Sequence, residues 1–226
     1  MPLGAVAVVA VVSTAVLDRM PIQTPAQVLT AYAASLARVQ TLSGSSVTQF
    51  TAVYTPLAQA LAGYVQHLPC VHRTDHSLLS ARLEQAAQVL LRRQGVLLPP
   101  GAPPERLARE ADLWTYVAYS VALLRGLAAD VAPWTITLWS LDDTARGVWQ
   151  PWTAPRGLAT VDAAAYRVRR ALHPPGADWT PLLVGALMPP AGLNWLWREP
   201  AIWQVWQQAL TAAEWREPLK SLFVDA

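Results

Sequence analysis

Apolar residues recur every three to four positions along most of this chain, and the recurrence breaks at prolines, glycines and short polar runs. Thr24-Pro25 reads as an N-cap followed by proline in the first helical turn. Val28, Leu29, Tyr32, Leu36 and Val39 then share one helical face, up to a stop at Gly44. Ser45 or Ser46 caps the next helix, which Pro56 kinks or splits and Pro69 closes. A polar connector, residues 70–76, leads to an amphipathic helix that starts at Ser77 or Ser80 and breaks at Gly95. The turn Pro99–Pro104 precedes a central helix from Glu105 to about Ala129. Its second half, Leu113 to Leu127, is the most apolar stretch and is the predicted centre of the core.

The pattern changes at Val131. PWTITLWSLDDTARGVWQPW alternates and is rich in Thr, Ile and Trp, with turn residues at Asp142-Asp143 and Gly147. That predicts a β-hairpin pairing 134–140 with about 147–152. AAYRVRRAL suits a short helix or a strand. Thr180-Pro181 opens a short helix ending before Pro189-Pro190, and LNWLW with PAIWQVWQQALTAAEW forms a terminal helical pair. SLFVDA is a short docking strand or a fraying end. Residues 3–17, LGAVAVVAVVSTAVL, fall short of the ~20 residues of a membrane span. They lack the basic flank of a signal peptide, and their valines suit a buried strand or docked extension. The expected organisation is an apolar extension (1–20), a helical domain (21–213) and a C-terminal tail (214–226). The expected fold class is mainly α with a small β-hairpin insertion.

Composition narrows the function classes. An apolar fraction of 53% against 14% charged residues describes a packed chain rather than a disordered one. Eleven tryptophans on a sparsely charged chain predict a protein partner. Net charge is +2, and Lys220 is the only lysine, so there is no basic run for polyanions. The arginines are dispersed, with small groups at Arg92-Arg93 and at Arg167, Arg169 and Arg170. A single cysteine, Cys70, excludes an internal disulfide and a multi-cysteine zinc site, and fits a cytoplasmic location. No phosphate-cradling P-loop, Gly-x-Ser-x-Gly or dinucleotide fingerprint occurs. The six tyrosines, Tyr32, Tyr54, Tyr64, Tyr116, Tyr119 and Tyr166, mostly lie in amphipathic helices and read as core residues. His67, His72, Asp75 and His76 cluster near the connector, with His72 and His76 four apart; His173 stands before a proline pair.

An ordered series of segments carries a family resemblance. LLPPGAPPERLAREADLWTYVAYSVALLRGLAA (97–129) is its anchor, flanked by MPIQTPAQVLTAYAASLARVQ, YVQHLP, GVWQPW, AAYRVRR and ALMPPAGLNWLW in the same order. Over residues 21–213 the chain resembles the N-terminal domain of MobH-class, TraI-type conjugative relaxases, itself similar to the HD metal hydrolases. The resemblance implies an HD-hydrolase-like helical fold. In that family the apolar helix ends in a Leu-Leu-His-Asp-x-Gly-Lys-like motif whose His-Asp pair ligates metal. Here the stretch is Leu123-Leu124-Arg125-Gly126-Leu127-Ala128-Ala129. The family's Gly-Gly-Leu-Leu-Asp-His-Ser element falls on Leu78–Glu84 when counted without gaps, with Ala81 where the family has His. A five-residue shift would instead align Asp75-His76-Ser77. A later histidine element is reduced to Leu172-His173-Pro174.

These departures imply a kept scaffold with its chemistry removed. HD-type sites need imidazoles and carboxylates converging on a divalent cation, and an arginine cannot deprotonate to join them. The expected function is a non-catalytic relaxase paralogue without a cofactor. It would act as a binding or scaffolding component of a plasmid or integrative element, with a protein partner and DNA. Arg125 either caps a helix end, pairs with a carboxylate, or joins Arg167, Arg169 and Arg170 in holding a phosphate or DNA. The alternative is a metal-dependent phosphohydrolase or DNA nickase with its divalent metal relocated to His72, Asp75 and His76.

Overall fold

The computed structural model describes residues 19–73, 75–152, 157–174, 176 and 178–223. The apolar segment 3–17 and residues 224–226 lie outside them. The chain is mainly α-helical with one small antiparallel sheet. No helix among the described residues is long and apolar enough to cross a membrane.

Helix α1 (Pro25–Thr30) starts with a reciprocal cap: the Thr24 hydroxyl accepts from Gln27 N, and the Gln27 side chain accepts from Thr24 N. The single helix expected up to Gly44 is broken at Ala31-Tyr32, and α2 (Ala33–Ser43) continues from there. The break has a tertiary cause. Tyr32 leaves the helical conformation (φ −113°, ψ 18°), and its hydroxyl lies 2.7 Å from Ser77 Oγ, just ahead of the helix that begins at Leu78. After Gly44, in the left-handed region at φ 66°, Ser46 caps α3 (Val47–Gln49). That helix runs through a π-turn (Phe50–Tyr54) into α4 (Thr55–Val65). Pro56, near the start of α4, has no N–H for the preceding turn, and the widened π-turn accommodates its ring.

Helices α5 (Leu78–Gln94) and α6 (Pro104–Leu124) pack along each other, with α2 against α5. Every residue from Val117 to Leu124 is buried, as the apolar run predicted. The helix stops five residues earlier than expected. Arg125 turns to extended backbone, Gly126 takes φ 68°, and α7 (Leu127–Val131) sets off in a new direction.

The sheet has strand order β1-β4-β2-β3 and is antiparallel throughout. The predicted hairpin is β2 (Trp134–Trp139) with β3 (Ala145–Val148), so β3 starts and ends earlier than expected, and a bulge lies between Leu138 and Trp139. AAYRVRRAL resolves as a strand, β4 (Ala165–Arg170), joined by the two-residue β1 (Met20–Pro21). Tyr166 and Val168 alternate into the core beside Ile136, while Arg169 and Arg170 are exposed. The C-terminal helices are α8 (Thr180–Leu187), α9 (Pro190–Trp197) and α10 (Pro200–Thr211). Ile202, Trp206 and Leu210 bury one face of α10. The described part of SLFVDA, residues 221–223, is helical rather than a strand: in α11 (Lys220–Phe223), Leu222 and Phe223 are buried and Phe223 stacks on Trp215 at 4.1 Å.

Candidate functional site

The C-terminal end of α6 opens onto a polar cleft of about 960 Å³, walled by α5, α7, Arg38 of α2 and the Trp215–Phe223 stack. Ala81, Arg125, Gly126 and Ala129, distant in sequence, all line it. These are the positions that the relaxase resemblance, counted without gaps, aligns with the family's motifs. His72 and Cys70 reach the cleft from the connector, whereas Asp75 and His76 do not line it. The connector is a closed loop. Cys70 N donates to His76 O (2.9 Å) and Leu78 N to Leu68 O (2.7 Å), which sets Ser77 as the N-cap of α5.

Two arginines organise this cleft. Arg82, buried on α5, donates to the carbonyls of Ala122 (3.3 Å) and Arg125 (2.7 Å) at the end of α6, and to Asp130 Oδ2 of α7 (2.5 Å). A helix C-terminus leaves carbonyls without partners and carries partial negative charge, so a guanidinium suits it geometrically and electrostatically. Arg125 makes the same use of a different helix. Its guanidinium donates to the carbonyls of Ala209, Ala212 (2.9 Å) and Ala213 (3.3 Å) at the end of α10. Its Cζ lies 3.9 Å from the centroid of the Trp215 ring. Burial draws the Arg125 pKa below its ordinary value, while Asp178 acts in the opposite direction. An arginine nonetheless stays charged and offers no lone pair to a metal. Among the described residues, no three His, Cys, Asp or Glu side chains gather so as to hold a metal ion.

The other expected groupings are not assembled either. His76 Nδ1 lies 2.9 Å from the Asp75 carboxylate, and its Nε2 lies 2.7 Å from Arg73 Nη2 and 3.5 Å from Glu84. The hydrogen bond from His76 holds the Asp75 pKa below the usual carboxylate range. His76 Nε2 is thus engaged, and the Arg73 charge stands where a cation would approach. His72 faces the cleft instead of joining the other two. Arg167, Arg169 and Arg170 sit on β4, and none lines the cleft with Arg125. The Arg170 guanidinium lies 5.1 Å from the Trp134 ring, and that of Arg167 lies 5.7 Å from Trp139.

Five of the six tyrosines are fully buried. Burial pushes the Tyr54 and Tyr166 hydroxyls up to about 12, and those of Tyr64, Tyr116 and Tyr119 higher. None is an accessible nucleophile. His67 is half-buried with Nε2 2.9 Å from Gln23 Oε1, and burial lowers its pKa. His173 is exposed in its loop. A second cleft of about 560 Å³, with Pro25, Pro56, Leu187 and Met188 among its walls, contains no titratable side chain. The pair overlooked in the sequence is Arg82–Asp130. A signal for it existed: Arg82 interrupts the apolar stripe of Leu78, Leu79, Leu83 and Ala86, where a charge needs a buried partner.

The family model TraI_2, described as a putative helicase, matches residues 20–226. No curated protein matches the chain.

Proposed function

The chain belongs to the TraI_2 family, and from that premise we propose that it is a catalytically silent, relaxase-like component of a mobile genetic element, one that binds during DNA transfer rather than cutting. The observation that carries this reading is the make-up of the polar cleft. Ala81 of α5 and Arg125 and Gly126 at the end of α6 line it together, and two guanidiniums fasten helix ends around it. Metal-assisted hydrolysis requires ligands that lower the pKa of a bound water. Alanine and glycine offer no donor atoms, and arginine repels the cation. Asp130, a carboxylate of the cleft, is already paired with Arg82. The residues present therefore do not fit an HD-type metal centre.

The helicase description draws no support from the residues either. Helicase motors cradle nucleotide phosphates in a Gly-rich loop ending in lysine, and the one lysine here, Lys220, follows no glycine run. Exposed Trp152, Leu182 and Trp197 favour protein contacts as part of the role.

The test combines elemental analysis of the purified protein with a supercoiled-plasmid nicking assay in Mn²⁺, Mg²⁺ or Ni²⁺. The expected result is no stoichiometric metal and no metal-dependent nicking. One equivalent of metal, together with nicking that His72→Ala or His76→Ala abolishes, would overturn the proposal in favour of the relocated site.

A further inference from the structure

β1 is short, yet the chain around it is held on both sides. Ile22 N donates to Ala164 O, just ahead of β4 (2.9 Å). On the other side the buried Gln66 side chain takes both backbone groups of Gln23. Its Nε2 donates to the Gln23 carbonyl (2.9 Å), and its Oε1 accepts from the Gln23 N–H (3.0 Å). Gln66 does so from a backbone at φ 49°, and its amide stands in for a neighbouring strand. Met20 lies opposite Tyr166 and Pro21 opposite Ala165, so the chain upstream of Met20 heads along β4 towards Arg170. β4 continues past that pairing from Arg167 to Arg170, and among the described residues no strand flanks this stretch on the β1 side. Backbone groups of an antiparallel strand point alternately to its two neighbours. Ala171 N donates to Pro133 O (2.8 Å) on the β2 side, so Arg169 and Arg167 face β2, while Arg170 and Val168 face the open side. Val168 is only 1% exposed, and buried backbone N–H and C=O groups are nearly always paired.

We propose that the open edge of β4 is the docking surface for this chain's own upstream segment, Val16-Leu17-Asp18, which continues β1 as far as Arg170. In the continued register Asp18 stands opposite Val168, Leu17 opposite Arg169 and Val16 opposite Arg170. The faces follow from alternation. Met20 packs against the core, whereas the Arg19 guanidinium lies 3.5 Å from the Trp139 ring centroid and pairs with Asp143. Leu17 therefore shares the outward face of Arg19, and Asp18 and Val16 share the face of Val168 and Arg170. Asp18 is the only charged residue ahead of Arg19, and it falls diagonally across from exposed Arg170, within reach of a long side chain. Residues 3–17 are uncharged and rich in valine, the composition of a strand. An unfilled edge is a template for pairing with another chain, and an edge filled from within the chain is closed to one. None of these residues lines the polar cleft, so the docking surface is separate from it.

The test is cysteine cross-linking of the full chain carrying Cys70→Ala, which leaves only the introduced thiols. Leu17→Cys with Arg169→Cys joins directly opposed outward positions, where a Cα separation of about 4.5 Å suits a disulfide. Mild oxidation should give mainly the intrachain disulfide, read by mass spectrometry of unreduced peptides. Val16→Cys with Arg169→Cys is one residue out of register, places the thiols on opposite faces, and should link at least about tenfold less. A melting curve matching that of Cys70→Ala establishes folding, since Arg169 is exposed. Independently, the Arg170 amide of the wild-type chain should exchange with solvent at least about tenfold slower than in an unstructured peptide. Val16→Pro should abolish that protection and leave the Ile22 amide, bonded to Ala164, unchanged. The proposal is overturned if both cysteine pairs link equally, if neither links, or if the Arg170 amide is unprotected in wild type. Links that run between chains would also overturn it, by seating a second copy on the edge.

Discussion

The two ends of α6 are both fastened by arginines, and they are fastened differently. In the N-terminal half, Glu110 is buried and accepts from Arg106 (2.8 Å), Arg109 (3.1 Å) and Trp114 Nε1 (3.3 Å), all on the same helix. At the C-terminal end, Arg82 arrives from α5 and also takes Asp130 of α7, while Arg125 leaves α6 for the end of α10. The first arrangement stabilises one helix locally. The second joins α5, α6, α7 and α10 at one place, the place where the polar cleft opens. A metal centre would join helices in a similar way through its ligands; here guanidiniums do the joining.

The comparison predicts a ranking of effects. Arg82→Ala should be the most damaging, destabilising by about 3–5 kcal/mol because it strands Asp130 and the helix-end carbonyls in a mostly buried setting. Chemical denaturation should show this as a lower midpoint at an unchanged slope. Arg125→Ala comes next, at about 1.5–3 kcal/mol for losing its charged hydrogen bonds to α10. Because the two arginines share the Arg125 region, their double variant should depart from additivity by at least about 0.5 kcal/mol. Strict additivity would separate two sites that the structure shows as one.

At the other end, Glu110→Gln should cost about 1 kcal/mol and add independently to Arg82→Ala. Its signature is in pH. Burial alone would raise the Glu110 pKa, but the bonds from Arg106, Trp114 and Arg109 outweigh it, and the pKa falls below the ordinary 4.5. The folded state therefore favours the ionised carboxylate. That stabilisation is present above about pH 4.5 and is lost as pH falls through the lower folded value. Melting temperature in acid should decline less steeply in Glu110→Gln than in wild type. A parallel decline in both would mean that Glu110 is not the group responsible.

Much of the helical layout was legible because caps and breakers act locally. Thr24-Pro25, Ser77, Gly95 and Pro189-Pro190 mark boundaries that the structure keeps. The misread boundaries have distant causes. Tyr32 breaks its helix while reaching Ser77, 45 residues away. Arg125 ends α6 with its side chain bonded 84 residues downstream. The two-residue β1 is too short to show a period, and the β4 sequence suits helix and strand alike, its pairing with β2 deciding for the strand. In the cleft, the spacing of Ala81 and Arg125 was readable only through the family resemblance. Arg82 was readable from its place on an apolar stripe, but Asp130 as its partner was not, since no local pattern links α5 to α7.

The substitutions also suggest a reversal. Gly126 sits at φ 68° with open space around it, and Asp is among the few residues that tolerate that backbone. Ala81→His, Arg125→His and Gly126→Asp together would place imidazoles and a carboxylate in the same cleft. The most direct measurement is a calorimetric Mn²⁺ titration of the wild-type chain beside this triple variant. The expected result is no saturable site in wild type and a gain of Mn²⁺ binding in the variant. A wild-type site that saturates at one Mn²⁺ per chain, and that Asp130→Asn or His72→Ala removes, would contradict the claim that guanidiniums stand in for the metal.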